Sequence, residues 1–417
     1  MDNYSIILLL LAIMLGLSAI AERIKLPYPI LLVVAGISVG FIPEMPKIEL
    51  DPEVVFLLFL PPILYEAAFN ISIIEFKRNM NTIMTLAFAL VFMTAAGIAV
   101  LAHYLIPGMS WSLSFVLGAI LSATDAVAAM SITKGLGISH KTMTILEGES
   151  LINDASGLIA YRLAVAAVAG STFVFWKAGL QFLILIVGGY IVGFLLGFLL
   201  RYILKFTHHK GTVAVSFTLL MPFIAYLVAE ELHVSGVIAV VAVGLIISMY
   251  SRKPISGEFR TAYKSIWDIV VFILNGLIFV LIGIEFPYVI QKIDHNLILP
   301  LIGYSFLICL VALIIRMGRI FLQRVHLEKA FERKSISRNK KALVNWKECL
   351  IIGWSGMRGI VSLATALALP VTLADGTAFP QRNIIIFISV VVVLITLVVQ
   401  GLSLPYLVRV LNVKPTH

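Results

Sequence analysis

Two aspartates lie inside long apolar segments of this sequence. Asp125 falls within the run from Trp111 to Ile132, and Asp154 falls within the run from Met143 to Gly170. A charged side chain at membrane depth is costly, so it normally faces a cavity and marks the path of an ion or a proton. The two segments therefore predict an intramembrane cation site.

The residues around the two aspartates offer oxygen ligands. Ser150 and Asp154 are four positions apart and share one face of a helix, while Thr124 directly precedes Asp125. Sodium is a hard cation that prefers carboxylate, hydroxyl and carbonyl oxygens. We expect Na⁺ to be held by Asp154, Asp125, Ser150 and Thr124, and no cluster of His or Cys predicts a transition-metal site.

Three more polar residues are expected to support this site. Glu149 is close to Asp154 along the helix and would repel it unless it is neutralised. We predict that Arg358 pairs with Glu149, because a guanidinium stays charged and binds a carboxylate through two bonds. Asn153 can bridge a broken helix by hydrogen bonds without adding charge, with a helix-packing amide as the alternative.

Asp154 is the predicted carrier. A buried carboxyl group that titrates near cytoplasmic pH can hold a proton or a cation but not both, so the two ligands compete. If only loaded states cross between the inward-facing and outward-facing forms, competition becomes exchange. One proton and one monovalent cation leave the same site charge, so the cycle would be electrically silent.

The composition predicts an all-α polytopic membrane protein. The 417 residues are 60% hydrophobic and only 13% charged, whereas soluble domains are about half apolar and a quarter charged. Apolar runs of about 17–25 residues indicate membrane-spanning helices. Thirteen such runs cover about 5–21, 28–43, 53–70, 82–106, 111–132, 143–170, 178–204, 213–231, 234–250, 264–286, 297–320, 349–370 and 384–408.

Thirteen spans can divide into six, one and six. The single crossing would place the second six-helix unit upside down, and inverted repeats are typical of transporters. The fifth and twelfth spans occupy equivalent positions in the two units. The fifth combines Gly118 with the polar run Ser122-Ala-Thr-Asp125, and the twelfth combines several glycines with Arg358. We predict that both helices are broken and cross, with Asp125 balancing the positive helix ends and Arg358 the negative ends.

The charge distribution predicts the orientation in the membrane. Lys and Arg concentrate in alternate loops, which places the N-terminus outside and the C-terminus in the cytoplasm. The basic segment 316–347 is expected to be a cytoplasmic anchor that faces anionic lipid, and no nucleic acid partner is expected. The first apolar run lacks a basic start, so we interpret it as an uncleaved first span.

Five motifs lie in order along nearly the whole chain: Pro61-Pro-Ile-Leu-Tyr-Glu-Ala-Ala-Phe69, Ala123-Thr-Asp125, Glu147-Gly-Glu-Ser-Leu-Ile-Asn-Asp154, Asn275-Gly-Leu-Ile-Phe-Val-Leu-Ile-Gly283 and Gly356-Met-Arg-Gly-Ile-Val-Ser-Leu363. Together they resemble the motifs of the cation:proton antiporter superfamily, in the branch that unites bacterial antiporters with animal sodium/hydrogen exchangers.

The resemblance implies a homodimer that works as an elevator. A dimerisation part would cover about 1–70 and 213–286, a moving core about 82–170 and 297–408, and a linker helix about 178–204 of one transporter domain, 1–417. It also implies that Asp154 carries both ions, and that an Asn-Asp pair goes with one-for-one electroneutral exchange.

Members often have proline after the fifth-span aspartate, whereas this sequence has Ala126, which leaves the degree of helix breaking open. Animal relatives carry a long regulatory tail, and since the sequence ends at His417, we do not expect tail-mediated control.

Two other charged residues are candidates for a gate. Glu66 follows two prolines on the third span, and Arg162 lies two turns beyond Asp154. Glu66 could gate the ion path, although a structural ion pair with an arginine such as Arg162 is the plainer explanation. Arg162 could repel cations on the outer side, or its side chain could simply reach outward to the membrane surface.

The sequence favours a sodium/proton antiporter of the plasma (bacterial inner) membrane, with no cofactor besides the transported Na⁺ and H⁺ and no enzymatic activity. A potassium/proton antiporter is the nearest alternative, and lithium is a further possible ion. An intramembrane aspartyl protease also needs two aspartates on neighbouring spans, but the usual Gly-x-Gly-Asp context is missing. A cation channel would pass current without protons.

Overall fold

The computed structural model of the chain describes residues 3–24, 28–42, 52–133, 138–170, 175–207, 211–251, 257–332, 345–373 and 375–411. Almost all of these residues are helical. The helices are α1 (Asn3–Ile24), α2 (Tyr28–Gly40), α3 (Pro52–Asn70), α4 (Ile73–Arg78), α5 (Met80–Met84), α6 (Val91–Leu105), α7 (Trp111–Ser122), α8 (Ala126–Thr133), α9 (His140–Val168), α10 (Phe175–Thr207), α11 (Gly211–Glu231), α12 (Gly236–Ser251), α13 (Gly257–Gln291), α14 (His295–Glu332), α15 (Trp346–Trp354), α16 (Ile360–Leu367), α17 (Arg382–Ile395) and α18 (Gly401–Leu411).

Many of these helices have the length and the apolar composition of membrane-spanning helices. Within the described ranges, eight helical stretches are long and apolar enough to cross one, and four further apolar helices are shorter. Two of the long stretches contain a π turn, Thr85–Leu90 between α5 and α6 and Thr396–Gln400 between α17 and α18. The predicted all-α membrane class is confirmed, while the number of thirteen crossings stays a prediction.

The two predicted helix breaks are present. α7 ends at Ser122 and α8 begins at Ala126, with Ala123 in an extended conformation. α15 ends at Trp354 and α16 begins at Ile360. The fifth span therefore breaks without a proline after Asp125. The non-helical segments bond to each other instead, because the Asp125 amide donates to the Met357 carbonyl oxygen at 2.8 Å.

The chain forms two compact units. The first contains Met1–Glu49, Ile74–Ala169 and Phe279–His417, and the second contains Leu50–Ile73 and Gly170–Ile278. In the second unit, Trp267 is fully buried and its indole nitrogen donates to the Thr218 hydroxyl at 3.1 Å. The predicted division into dimerisation part, linker and core stays a prediction.

Close packing of α6 on α7 positions the first break within the first unit. A Cβ atom built on Gly118 would lie 2.3 Å from the Ala95 carbonyl oxygen, so only glycine permits this helix contact. The neighbouring residues Val116 and Leu117 are fully buried. The end of α7 is thus fixed against the core just before its helical pattern stops at Ser122.

Candidate cation site

The Asp125 carboxylate lies between the N-termini of two half-helices. One oxygen accepts a hydrogen bond from the Ala128 amide of α8 at 3.3 Å, and the other accepts one from the Ile360 amide of α16 at 3.4 Å. Helix N-termini carry about half a positive charge each. The geometry therefore matches the expected role of Asp125 in balancing the positive ends.

Arg358 serves the opposite helix ends. Its Nε donates to the Leu121 carbonyl oxygen at the end of α7 at 3.0 Å, and its Nη1 donates to the Gly356 carbonyl oxygen just after α15. Its backbone amide donates to the Thr396 hydroxyl at 3.2 Å. The guanidinium is buried, and its charge lies where two helices leave unpaired carbonyl groups.

The predicted pairing of Glu149 with Arg358 is wrong, because Glu149 pairs with Arg316 of α14. The two side chains are only 1% and 2% exposed. Arg316 binds both carboxylate oxygens through Nη1 and through Nη2, the latter at 3.0 Å. Its Nε and Nη2 also donate to the Ile352 carbonyl oxygen at 3.2 and 3.1 Å. Arg358 is instead occupied by the carbonyl groups at the helix breaks.

The burial of Arg316 also shows that the predicted cytoplasmic anchor 316–347 begins too early. α14 continues to Glu332, so Arg316 is a buried residue of a long helix rather than the start of a cytoplasmic anchor. Residues 333–344 lie outside the described ranges. The signal for Arg316 was available, since it interrupts the predicted span 297–320 in the way that Arg358 interrupts the twelfth.

Hydrogen bonds join α9 to the break between α7 and α8. The Ser150 hydroxyl accepts from the Ala126 amide at 3.2 Å, and the Asn153 side-chain amide donates to the Thr124 hydroxyl at 2.8 Å. The Thr124 hydroxyl makes a long contact of 3.5 Å with Glu149. Asn153 therefore bridges the broken helix, as expected, and the structure brings together the four predicted cation ligands and their supporting residues.

Asp154 differs from the other charged groups of this site. It is 8% exposed and interacts electrostatically with Asp125. Among the described residues, no group donates a hydrogen bond to its carboxylate. Asp125 and Arg358 bind helix ends, and Glu149 binds Arg316. Among the described residues of this site, Asp154 is therefore the carboxylate whose charge has no fixed partner.

The two gate candidates lie in different units. Glu66 accepts a hydrogen bond from the Asn70 side chain within α3 of the second unit. Arg162 is half-buried on α9 of the first unit. Their assignment as a gate stays a prediction.

Gly359 lies where the two broken helices cross, so a substitution there tests the crossing. A Cβ atom at this position would lie 1.8 Å from Oδ2 and 2.6 Å from Cβ of Asp125, so a new rotamer of Asp125 would not relieve the overlap and the two broken helices would have to move apart. We expect Gly359→Ala to lower the free energy of unfolding by about 2–4 kcal/mol and to reduce the yield of folded protein. The added carbon overpacks the core and breaks the hydrogen bond from the Ile360 amide to the Asp125 carboxylate. Melting in detergent measures this, with Gly303→Ala as control, since a Cβ at Gly303 meets no atom within 4 Å. Equal melting of the two variants would contradict the crossing.

The fold and the site define a class: a helical membrane protein in which two broken helices cross beside a buried, uncompensated carboxylate. Comparison with known proteins then gives the family. A family model described as "Sodium/hydrogen exchanger, transmembrane" matches residues 6–410, and the chain belongs to this family. The family is one of transporters rather than enzymes, in agreement with the expectation from the sequence.

Relatives cover almost all of this chain. It is 33% identical to the "Sodium, potassium, lithium and rubidium/H(+) antiporter" of Bacillus pumilus, over 98% of this chain and 61% of the relative. It is 32% identical to the "Na(+)/H(+) antiporter ApNhaP" of Aphanothece halophytica, over 99% of this chain and 75% of the relative. The chain thus spans about three fifths of the Bacillus protein's length.

A solved structure has the same fold. The sodium proton antiporter MjNhaP1 from Methanocaldococcus jannaschii matches with a TM-score of 0.74 and 20% identity, and the match covers 97% of each chain. The similarity supports the helical arrangement described above.

Proposed function

We propose that this chain is a secondary antiporter that exchanges Na⁺ for H⁺ at Asp154. The observation that carries the proposal is the uncompensated charge of Asp154 beside the neutralised crossing of α7/α8 and α15/α16. A buried carboxylate without a counter-charge is unfavourable, so it takes up a proton or a cation. The two ligands then compete for one group.

The neighbouring oxygens suit an alkali cation. The Asp154 and Asp125 carboxylates, the Ser150 hydroxyl and the backbone near Thr124 are hard oxygen ligands. The proposal assigns Na⁺ to these four residues, with Glu149, Asn153 and Arg358 in support. The pair of Glu149 with Arg316 adds no net charge, which favours the exchange of one cation for one proton.

Alternating access completes the cycle. In the proposed elevator, a homodimer anchors each chain in the plasma membrane, with the N-terminus outside and the C-terminus inside, and the core carries Asp154 across in its loaded forms. The net charge of the loaded site is the same with either ion, so the exchange is electroneutral. Membrane lipid surrounds the assembly.

Potassium/proton exchange is the second candidate. It is favoured by one specific observation, the name of the Bacillus pumilus relative, which includes potassium, lithium and rubidium. A channel or an intramembrane protease has no comparable support.

Proton flux in proteoliposomes tests the proposal. We expect addition of NaCl to the purified chain to drive proton movement without electrical current, and acidification to raise the apparent KM for Na⁺, because protons occupy the same carboxylate. LiCl, KCl and RbCl in parallel rank the cations. Cation-driven current without proton flux would indicate a channel, and an apparent KM that is independent of pH would exclude a shared site.

A further inference from the structure

Two π turns within the described ranges contact residues in or next to the cation site. In the turn Thr396–Gln400, the Thr396 hydroxyl accepts a hydrogen bond from the Arg358 amide. In the turn Thr85–Leu90, the Ala87 carbonyl oxygen accepts a hydrogen bond from the Ser156 hydroxyl at 2.8 Å. Single π turns inside α-helices are frequent at functional sites. Ser156, which lies two residues after Asp154, thus connects the carrier helix to one of these turns.

Ser156 links two helices through one hydroxyl group. The side chain is 1% exposed, and its oxygen also lies 3.1 Å from the Asn153 carbonyl oxygen. A hydroxyl donates a single hydrogen, so the two carbonyl oxygens share it. Because Asn153 in turn donates to Thr124, a chain of hydrogen bonds runs from the π turn to the break between α7 and α8. Asp154 lies in the backbone between two members of this chain.

Two other buried serines of the first unit bond only within their own helices. The Ser389 hydroxyl donates only to the Ile385 carbonyl oxygen of its own helix, at 2.8 Å, and Ser305 does the same with Leu301. Such back-bonding within a helix satisfies the hydroxyl locally. Ser156 instead reaches a second helix at an irregular turn, which fixes the position of α9 along that helix.

We propose that Ser156 is a positioning residue that holds Asp154 in the geometry needed to discriminate among cations. This inference rests on the proposed function. Selection of a cation depends on ligand number, cavity size and rigidity, and a binding site loses specificity when its supporting residues allow shifts of about 0.5 Å. A proton needs only one carboxylate oxygen. Loosening Asp154 should therefore impair cation binding and spare proton binding.

The test compares Ser156→Ala with the unaltered full chain in proteoliposomes. We expect the apparent KM for Na⁺ to rise about three- to tenfold, which is the effect of one lost hydrogen bond. The ratio of KM values among Na⁺, Li⁺ and K⁺ should move toward one. Maximal flux should stay within about twofold, and the proton dissociation constant obtained from the dependence of KM on pH should not change. Ser156→Thr, which keeps the hydroxyl, should restore the KM ratio.

The control is Ser389→Ala, which removes a buried hydroxyl that bonds only within its helix. It should lower the melting temperature without changing the KM ratio. The inference is overturned if Ser156→Ala keeps the cation ratio of the unaltered chain, or if both serine variants change it equally. Ser156→Cys, a weak donor, replaces the alanine variant if that one does not fold. If both fail to fold while Ser389→Ala folds, Ser156 is required for folding and the inference is also overturned.

The two proposals fail in different ways. An unaltered chain without cation-driven proton flux, or an Asp154→Asn variant that retains it, overturns the proposed function and the role of Ser156 with it. Intact exchange in the unaltered chain together with an unchanged cation ratio in Ser156→Ala overturns the role of Ser156 alone.

Discussion

Asp154→Asn is expected to reduce cation-driven proton flux at least about 100-fold while the protein still folds. The asparagine side chain has nearly the same shape but neither holds a proton in exchange nor carries a negative charge. Since no described group donates to the Asp154 carboxylate, the variant removes an uncompensated buried charge and should melt at or above the temperature of the unaltered chain. Flux in proteoliposomes and melting in detergent measure the two effects.

The matched control for this variant is Asp375→Asn. Asp375 is exposed in the loop between α16 and α17, where it accepts hydrogen bonds from Thr377. Its replacement should leave flux unchanged. Full exchange by Asp154→Asn would remove Asp154 from the mechanism, and a collapse of both variants would point to misfolding instead of lost chemistry.

Arg316→Ala is expected to destabilise the protein by about 3–5 kcal/mol, because it leaves the buried Glu149 charge without its partner. The Ile352 carbonyl oxygen loses its two donors as well. The yield of folded protein and its melting temperature measure this effect. Replacing both Arg316 and Glu149 by leucine should recover most of the loss, since a buried ion pair can be exchanged for apolar packing at little cost.

Arg324→Ala provides the comparison within the same helix. Arg324 pairs with Glu328 four residues on, at 2.7 Å, but the two side chains are 25% and 40% exposed. Such partly exposed pairs contribute about 0.3–0.5 kcal/mol. If Arg316→Ala melted no lower than Arg324→Ala, the buried pair with Glu149 would not exist in solution.

The sequence predicted those features that depend on local rules. A charge inside an apolar run indicates a functional site whatever its surroundings. The polar run Ser122-Ala-Thr-Asp125 and the glycines beside Arg358 indicated the two helix breaks correctly. The break at Ala126 also showed that proline is dispensable there, because the Asp125 backbone bonds to Met357 of the second broken helix.

The choice of partners could not be predicted in the same way. Glu149 and Arg316 are 167 positions apart, and their contact depends on which helix faces which in the folded core. Arg358 was the obvious partner in the absence of that information. Ser156 and Thr396 were missed because a π turn has no clear signature in the sequence, so their contacts with the site appear only in three dimensions.

The tight contact between Gly359 and Asp125 restricts how ion preference in this protein can be redesigned. Since a single added carbon at position 359 would overlap the carboxylate, a longer acidic side chain at position 125 has no free volume to enter on that side. Position 157 of α9 is more permissive, because a Cβ at Gly157 would lie 3.5 Å from its nearest neighbours, Ala123 and Ser122. Engineers who wish to change the space beside the broken helix should therefore begin at position 157 and leave the two half-helices untouched.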